Sequence, residues 1–147
     1  MQNPIIVALD VPSTQKALKL AEELAAVVGA FKVGKQLFVS GGPDVVRKLR
    51  GLGAKIFIDL KFHDIPNTVA KAVQSATDLG VDMLTVHASG GSEMLSAAES
   101  AGHEQAAMLR SEPPLILGVT VLTSMDDANL AELGIDESVQ DRVLRLA

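Results

Sequence analysis

The stretch DLKFHDIPNT, residues 59–68, sets Asp59, Lys61 and Asp64 directly behind an apolar run, AKIFI. A lysine flanked by carboxylates stays protonated, because an opposite charge within about 4–6 Å favours the ionised form. Such an ammonium suits two tasks, stabilising negative charge as it develops and giving up a proton. It is a poor amine nucleophile, since that role needs a lowered pKa. The ordinary alternative is an ion pair at a strand end. A buried pair of this kind is weak evidence for stability, because desolvation offsets its attraction.

Other polar residues fall at comparable places. Successive strand residues point to opposite faces. In AKIFIDLK, Ile56, Ile58 and Leu60 share one face, and Phe57, Asp59 and Lys61 share the other. The apolar set should meet helices, which turns Asp59 and Lys61 inward near the strand's C-terminal end. Asp10 ends the first strand, PIIVALD, Lys32 lies within AFKVG, and His87 closes VDMLTVHA. Thr123 and Ser124 close the run LILGVTVLTS. In parallel α/β folds that edge binds ligands. Each residue also has a plain explanation. Asp10 could cap a turn, Lys32 and Asp59 could pair, and His87 could be a satisfied core histidine. His63 could be a solvated loop residue, and Thr123 and Ser124 could cap a following turn. The glycine patches GGPD and SGGSE are weak phosphate signals, because loops carry such glycines routinely. Two lysines and three acids gathered at one edge favour the functional reading over any single residue.

The elements that position them alternate along the chain. STQKALKLAEELAAVVG repeats Ala17, Ala21, Leu24 and Val28 at helical spacing, with Gly29 as a stop. GPDVVRKLRGLG reads as a helix with Pro43 in its first turn. NTVAKAVQSATDLG reads as a helix capped by Asn67 or Thr68 and stopped by Gly80. GSEMLSAAESAG and DESVQDRVLRLA complete the helical set. The βα unit recurs about five times, which predicts a parallel sheet with helices outside. Two architectures fit, an open doubly wound sheet and a TIM (β/α) barrel. The last helical pattern runs to Ala147 without a stop signal, and eight strands need roughly 200 residues or more. The expectation is that residues 1–147 are the N-terminal part of a single TIM-barrel domain, five of its eight βα units. The alternative is a complete five-stranded domain.

Composition narrows the partners. Apolar residues make up 48 % of the 147 residues and aromatics 3 %, so the core must be mostly Val, Ile, Leu and Ala. There is no Trp or Tyr for a base-stacking surface, and the net charge is −5 with no basic run. Nucleic acid is therefore not an expected partner. Without cysteine there is neither a disulfide framework nor a thiolate site. MQNPIIVALD lacks a basic n-region, and its apolar run is too short for a membrane span. These features read as a soluble cytoplasmic protein.

DLKFHDIPNT resembles the D-x-K-x-x-D-I-P-N-T signature of the orotidine 5′-phosphate decarboxylase family. VALD, FKVG, VDMLTVHA and GVTVLTS match the same family in order, across essentially the whole chain. The resemblance implies a dimeric TIM barrel that converts orotidine 5′-phosphate to uridine 5′-phosphate and carbon dioxide, without metal or organic cofactor. Lys32, Asp59, Lys61 and Asp64 would form an alternating charge network. Lys61 would stand beside carbon 6 of the pyrimidine and protonate it. Asp10 and Lys32 would contact ribose hydroxyls, and Asp64 and Thr68 would cross to the partner's site. Thr123, with Ser124, would contact the pyrimidine end, and His87 joins the substrate-side set at the same edge. The family's phosphate-gripping loop comes from strands beyond the fifth, so activity of the 147-residue chain alone is in question. Two competing readings stand beside this one. A metal-dependent sugar-phosphate lyase would share D-x-K-x-x-D, and an incomplete barrel would self-associate through open sheet edges without catalysing anything.

Overall fold

A computed structural model describes residues 3–147. Five strands form one parallel sheet: β1 (Ile6–Ala8), β2 (Ala30–Gly34), β3 (Ile56–Phe62), β4 (Met83–His87) and β5 (Leu115–Val119). The helices are α1 (Thr14–Leu24), α2 (Lys35–Gly41), α3 (Pro43–Gly51), α4 (Pro66–Asp78), α5 (Ser92–Leu109), α6 (Asp127–Glu132) and α7 (Val139–Leu146). A single 3-10 turn, Ala88–Gly90, links β4 to α5.

Strand order separates the two architectures. A doubly wound sheet reverses its order at a switch point, whereas a barrel adds each strand beside the last. Here the order is β1-β2-β3-β4-β5, with every neighbouring pair parallel. That is barrel progression. Among the described residues β1 and β5 are the sheet's two edges, with no pairing between them.

The core lies on one side of the sheet. Leu9, Phe31, Val33, Ile56, Ile58, Leu84 and Val86 are at most 1 % exposed. They cluster with Ala17, Leu37, Val45, Leu49, Val73 and Met94 from the helices. Among the described residues Phe31 is the one aromatic in that core, as the composition requires. Behind β3, Ile58, Leu60 and Phe62 meet Phe38, Ala72, Ala76 and Leu79 around an apolar cavity of about 220 Å³.

Several boundaries differ from the sequence pattern. Neither Asn67 nor Thr68 caps α4; the cap position is Ile65, with Pro66 in the first turn and no side-chain cap bond. Proline fits there because its missing N–H is one that the first turn leaves unpaired anyway. α5 runs seven residues past Gly102, to Leu109. Gly102 is a buried position inside α5 and not a stop; a Cβ there would lie 3.6–3.7 Å from Val73, Pro114 and Ile116, an ordinary contact distance. α2 and α6 have seven and six residues, too few for a helical period to show in sequence. β5 stops at Val119, so Thr123 and Ser124 lie outside it.

Candidate functional site

β3 carries the first two charged groups, and its alternation holds as expected. Ile56 and Ile58 are buried on the helix side, and Asp59 and Lys61 point the other way. The ladder to β4 is irregular. Ile58 pairs with Leu84, but the next pair is Phe62 with Val86. Two extra residues are thus accommodated in β3. An even slip preserves which face each side chain occupies, whereas a slip of one would turn Lys61 into the core. The irregularity sits on the motif itself. Lys61 adopts φ 54°, a left-handed conformation that costs a side-chain-bearing residue about 1–2 kcal/mol. Its backbone N–H donates to Thr85 Oγ1 at 2.9 Å.

The charges alternate in sign across three strands. Lys32 Nζ lies 3.5 Å from Asp10 Oδ1 and 3.7 Å from Asp59 Oδ2. Lys61 Nζ lies 2.7 Å from Asp59 Oδ1, a charge-assisted hydrogen bond. Thr85 Oγ1 donates to the same Asp59 oxygen at 3.0 Å. Asp59 is the hub, its side chain 17 % exposed, whereas Asp10 at the rim is 69 % exposed. Burial by itself raises the Asp59 pKa. It is outweighed by the hydrogen bonds from Lys61 and Thr85 and by the charges of Lys61 and Lys32, which hold the carboxyl below the usual aspartate range. The result is an ionised carboxylate that holds an ammonium on the face of the sheet opposite Ile56 and Ile58.

The remaining sequence candidates fall around this row. His87 ends β4, and its ring lies 5.1 Å from that of His63, tilted by 41°. Burial, then electrostatic interaction with His63, Lys35 and Lys61, lowers the His87 pKa below the usual histidine value, so its ring is neutral near pH 7. Asp64 is exposed in the turn after β3, and its Oδ1 accepts from the Ile65 N–H at 2.7 Å. Among the described residues it forms no ion pair, and the chain does not itself bring Asp64 to Lys61. Thr68 is exposed in the first turn of α4. Thr123 and Ser124 are exposed in a turn after β5, not on it. β4 ends at His87, which pairs with Val119, so beyond that point no neighbouring strand remains to extend the ladder. The glycine patches are structural. Gly42 and Gly91 hold φ of 59° and 85°, and a Cβ on Gly41 would collide with Thr14. Among the described residues no three His, Cys, Asp or Glu side chains converge as metal ligands. Sequence reasoning missed Thr85. The signal available was its place in MLTVH, two residues before His87 and therefore on the same face.

Comparison with known proteins gives this arrangement a context. A family model described as orotidine 5′-phosphate decarboxylase / HUMPS family matches residues 3–147. The orotidine 5′-phosphate decarboxylase of Syntrophotalea carbinolica is 52 % identical over 143 residues, covering 97 % of this chain and 59 % of the relative. That of Moorella thermoacetica is 50 % identical over 147 residues, covering 99 % of this chain and 58 % of its own length. The crystal structure of orotidine 5′-phosphate decarboxylase from Lactobacillus acidophilus superposes with a TM-score of 0.83 at 38 % identity, covering 99 % of this chain and 65 % of that one. The chain thus spans about three fifths of the length of the curated relatives it matches.

Proposed function

This chain belongs to the orotidine 5′-phosphate decarboxylase / HUMPS family, and from that premise we propose that it supplies the charged half of a site that decarboxylates orotidine 5′-phosphate to uridine 5′-phosphate in pyrimidine biosynthesis. The observation that carries this reading is the row Asp10, Lys32, Asp59 and Lys61, alternating in sign at the C-terminal edge of β1, β2 and β3. Relatives of about 50 % identity that bear the decarboxylase name support the choice of substrate within the family. The domain reading follows: residues 1–147 form five of eight βα units of one TIM barrel.

The chemistry starts with the bond from carbon 6 to the carboxylate. As it breaks, carbon dioxide leaves and the electron pair stays on carbon 6. The Lys61 ammonium stabilises that pair and then transfers a proton to it, and solvent reprotonates the amine. Lys32 and Asp10 bind the ribose hydroxyls. His87, Thr123 and Ser124 line the pyrimidine end. Asp64 and Thr68, which project outward at the same edge, serve the site of a partner subunit in a homodimer. No metal or organic cofactor takes part, because a fixed ammonium supplies the positive charge that the carbanion needs.

Magnitudes rank the contributions. Two like charges 4 Å apart at an effective dielectric of 20 repel by about 4 kcal/mol. The largest enzymatic effects exceed ~20 kcal/mol. Repulsion between Asp59 and the substrate carboxylate is therefore minor, and smaller still because two lysines and Thr85 already engage Asp59. Carbanion stabilisation and remote binding energy carry the rest. The decisive experiment is Lys61→Ala in the full-length protein, followed by carbon dioxide release. A fall of several orders of magnitude is expected, and undiminished release would refute the reading.

A further inference from the structure

Among the described residues the buried polar side chains are Thr77 and Thr85. Thr77 spends its hydroxyl locally, donating to Val73 O one turn back in α4. The hydroxyl of Thr85, 5 % exposed at the centre of β4, bonds only to residues of β3. Its hydroxyl has one hydrogen to give. An amide N–H can only donate, so the hydroxyl oxygen accepts from Lys61 N at 2.9 Å, and the hydroxyl hydrogen goes to Asp59 Oδ1 at 3.0 Å. Asp59 Oδ1 also accepts from Lys61 Nζ at 2.7 Å. The bonds close a ring: Lys61 N–H to Thr85, Thr85 to Asp59, and Lys61 Nζ back to the same oxygen. The other oxygen, Oδ2, is left facing Lys32. The ring lies where β3 and β4 slip in register and where Lys61 takes its left-handed conformation.

We propose that Thr85 is a positioning residue for the reaction, its hydroxyl clamping the left-handed backbone of Lys61 while it orients the Asp59 carboxylate that aims the Lys61 ammonium. The catalytic consequence rests on the decarboxylase reading; the clamp does not. Two features separate this from ordinary core filling. The donor direction is fixed by the amide, so the hydroxyl cannot be replaced by shape alone. Both of its partners belong to the charged row, so losing it disturbs the ammonium's support and the backbone from which the ammonium extends.

The test compares Thr85→Val, which keeps the branched shape and removes the hydroxyl, with Thr85→Ser, which keeps the hydroxyl. Turnover of orotidine 5′-phosphate is measured on the full-length protein, and the Asp59 carboxyl is titrated by NMR in each variant. For valine, kcat should fall roughly 10–100-fold, by analogy with the loss of groups that orient metal ligands, with KM changing less than about threefold. The Asp59 titration should move upward. Serine should restore kcat to within about threefold and return the titration. If valine does not fold, Thr85→Cys replaces it: its weak donor should give an intermediate kcat and a partial titration shift, and wild-type values for both would overturn the clamp. Valine with unchanged kcat and unchanged Asp59 titration overturns it, as does serine no better than valine. Should the wild-type protein fail to turn over the substrate, the decarboxylase reading falls, while the Asp59 titrations still decide the clamp.

Discussion

Asp59 answers to two lysines and a threonine at once, and that makes its ionisation a property of the fold. Its folded pKa is depressed, so the group stabilises the folded chain above its unfolded value, near 3.9, and that contribution is lost as pH falls through the folded value. Asp59→Asn should flatten the acid limb of a urea-midpoint-against-pH curve below about pH 4. It should also cost turnover, because the Lys61 ammonium then loses the carboxylate that aims it. His87 follows the same sign at higher pH. Its folded pKa is lowered, so stability is fully present above the unfolded value near 6.5 and declines as pH falls below it. His87→Gln should remove part of the midpoint decrease between about pH 7 and 5; an identical slope would show that another group titrates there. At this scale the sequence was legible for Asp59 and Lys61, which alternation puts on one face of β3, and for Asp10 and Lys32 as residues at or near strand ends. Thr85 was not, because a threonine in an apolar strand looks like any β-branched core residue.

β3 shows what an element must supply to make those residues useful. Its outer face anchors it, with Ile58 only 1 % exposed. Ile58→Ala should destabilise the chain by about 2–5 kcal/mol, read from the urea midpoint. A loss below about 1 kcal/mol would mean that the neighbouring apolar cavity collapses to fill the gap. α6 depends instead on its cap. The Asp126 side chain accepts from Asn129 N–H at 2.9 Å, and the Asn129 side chain accepts from Asp126 N–H at 3.1 Å. Asp126→Ala should cost about 1 kcal/mol, visible as loss of amide-exchange protection confined to the segment after β5. Element type was readable from period and punctuation wherever a segment was long enough. Where it failed, as at Gly102 and beyond Val119, a neighbouring element decided: α5 continues through a glycine buried against Val73 and Ile116, and the end of β4 ends β5.

The whole molecule is a parallel sheet with two open edges among the described residues, β1 and β5. Leu115 on β5 is 57 % exposed and Ile6 on β1 is 39 % exposed. Unpaired edges of this kind recruit other chains. The 147-residue chain should therefore form concentration-dependent oligomers in sedimentation velocity; a strictly monomeric species across the micromolar range would argue that the edges are protected. On the proposed chemistry the same chain should turn over orotidine 5′-phosphate far more slowly than the full-length protein, because remote binding energy is what closes such sites.

By itself the sequence determined the repeat of strand and helix, the face on which each strand residue lies, and hence which charged side chains share an edge. Those are consequences of backbone period, which local residues dictate. Tertiary structure alone decided the order of the strands, the two-residue slip between β3 and β4, the left-handed conformation at Lys61 and the recruitment of Thr85. Each depends on which strand lies beside which, and hydrogen bonds between segments distant in the chain leave no period in the residues that make them.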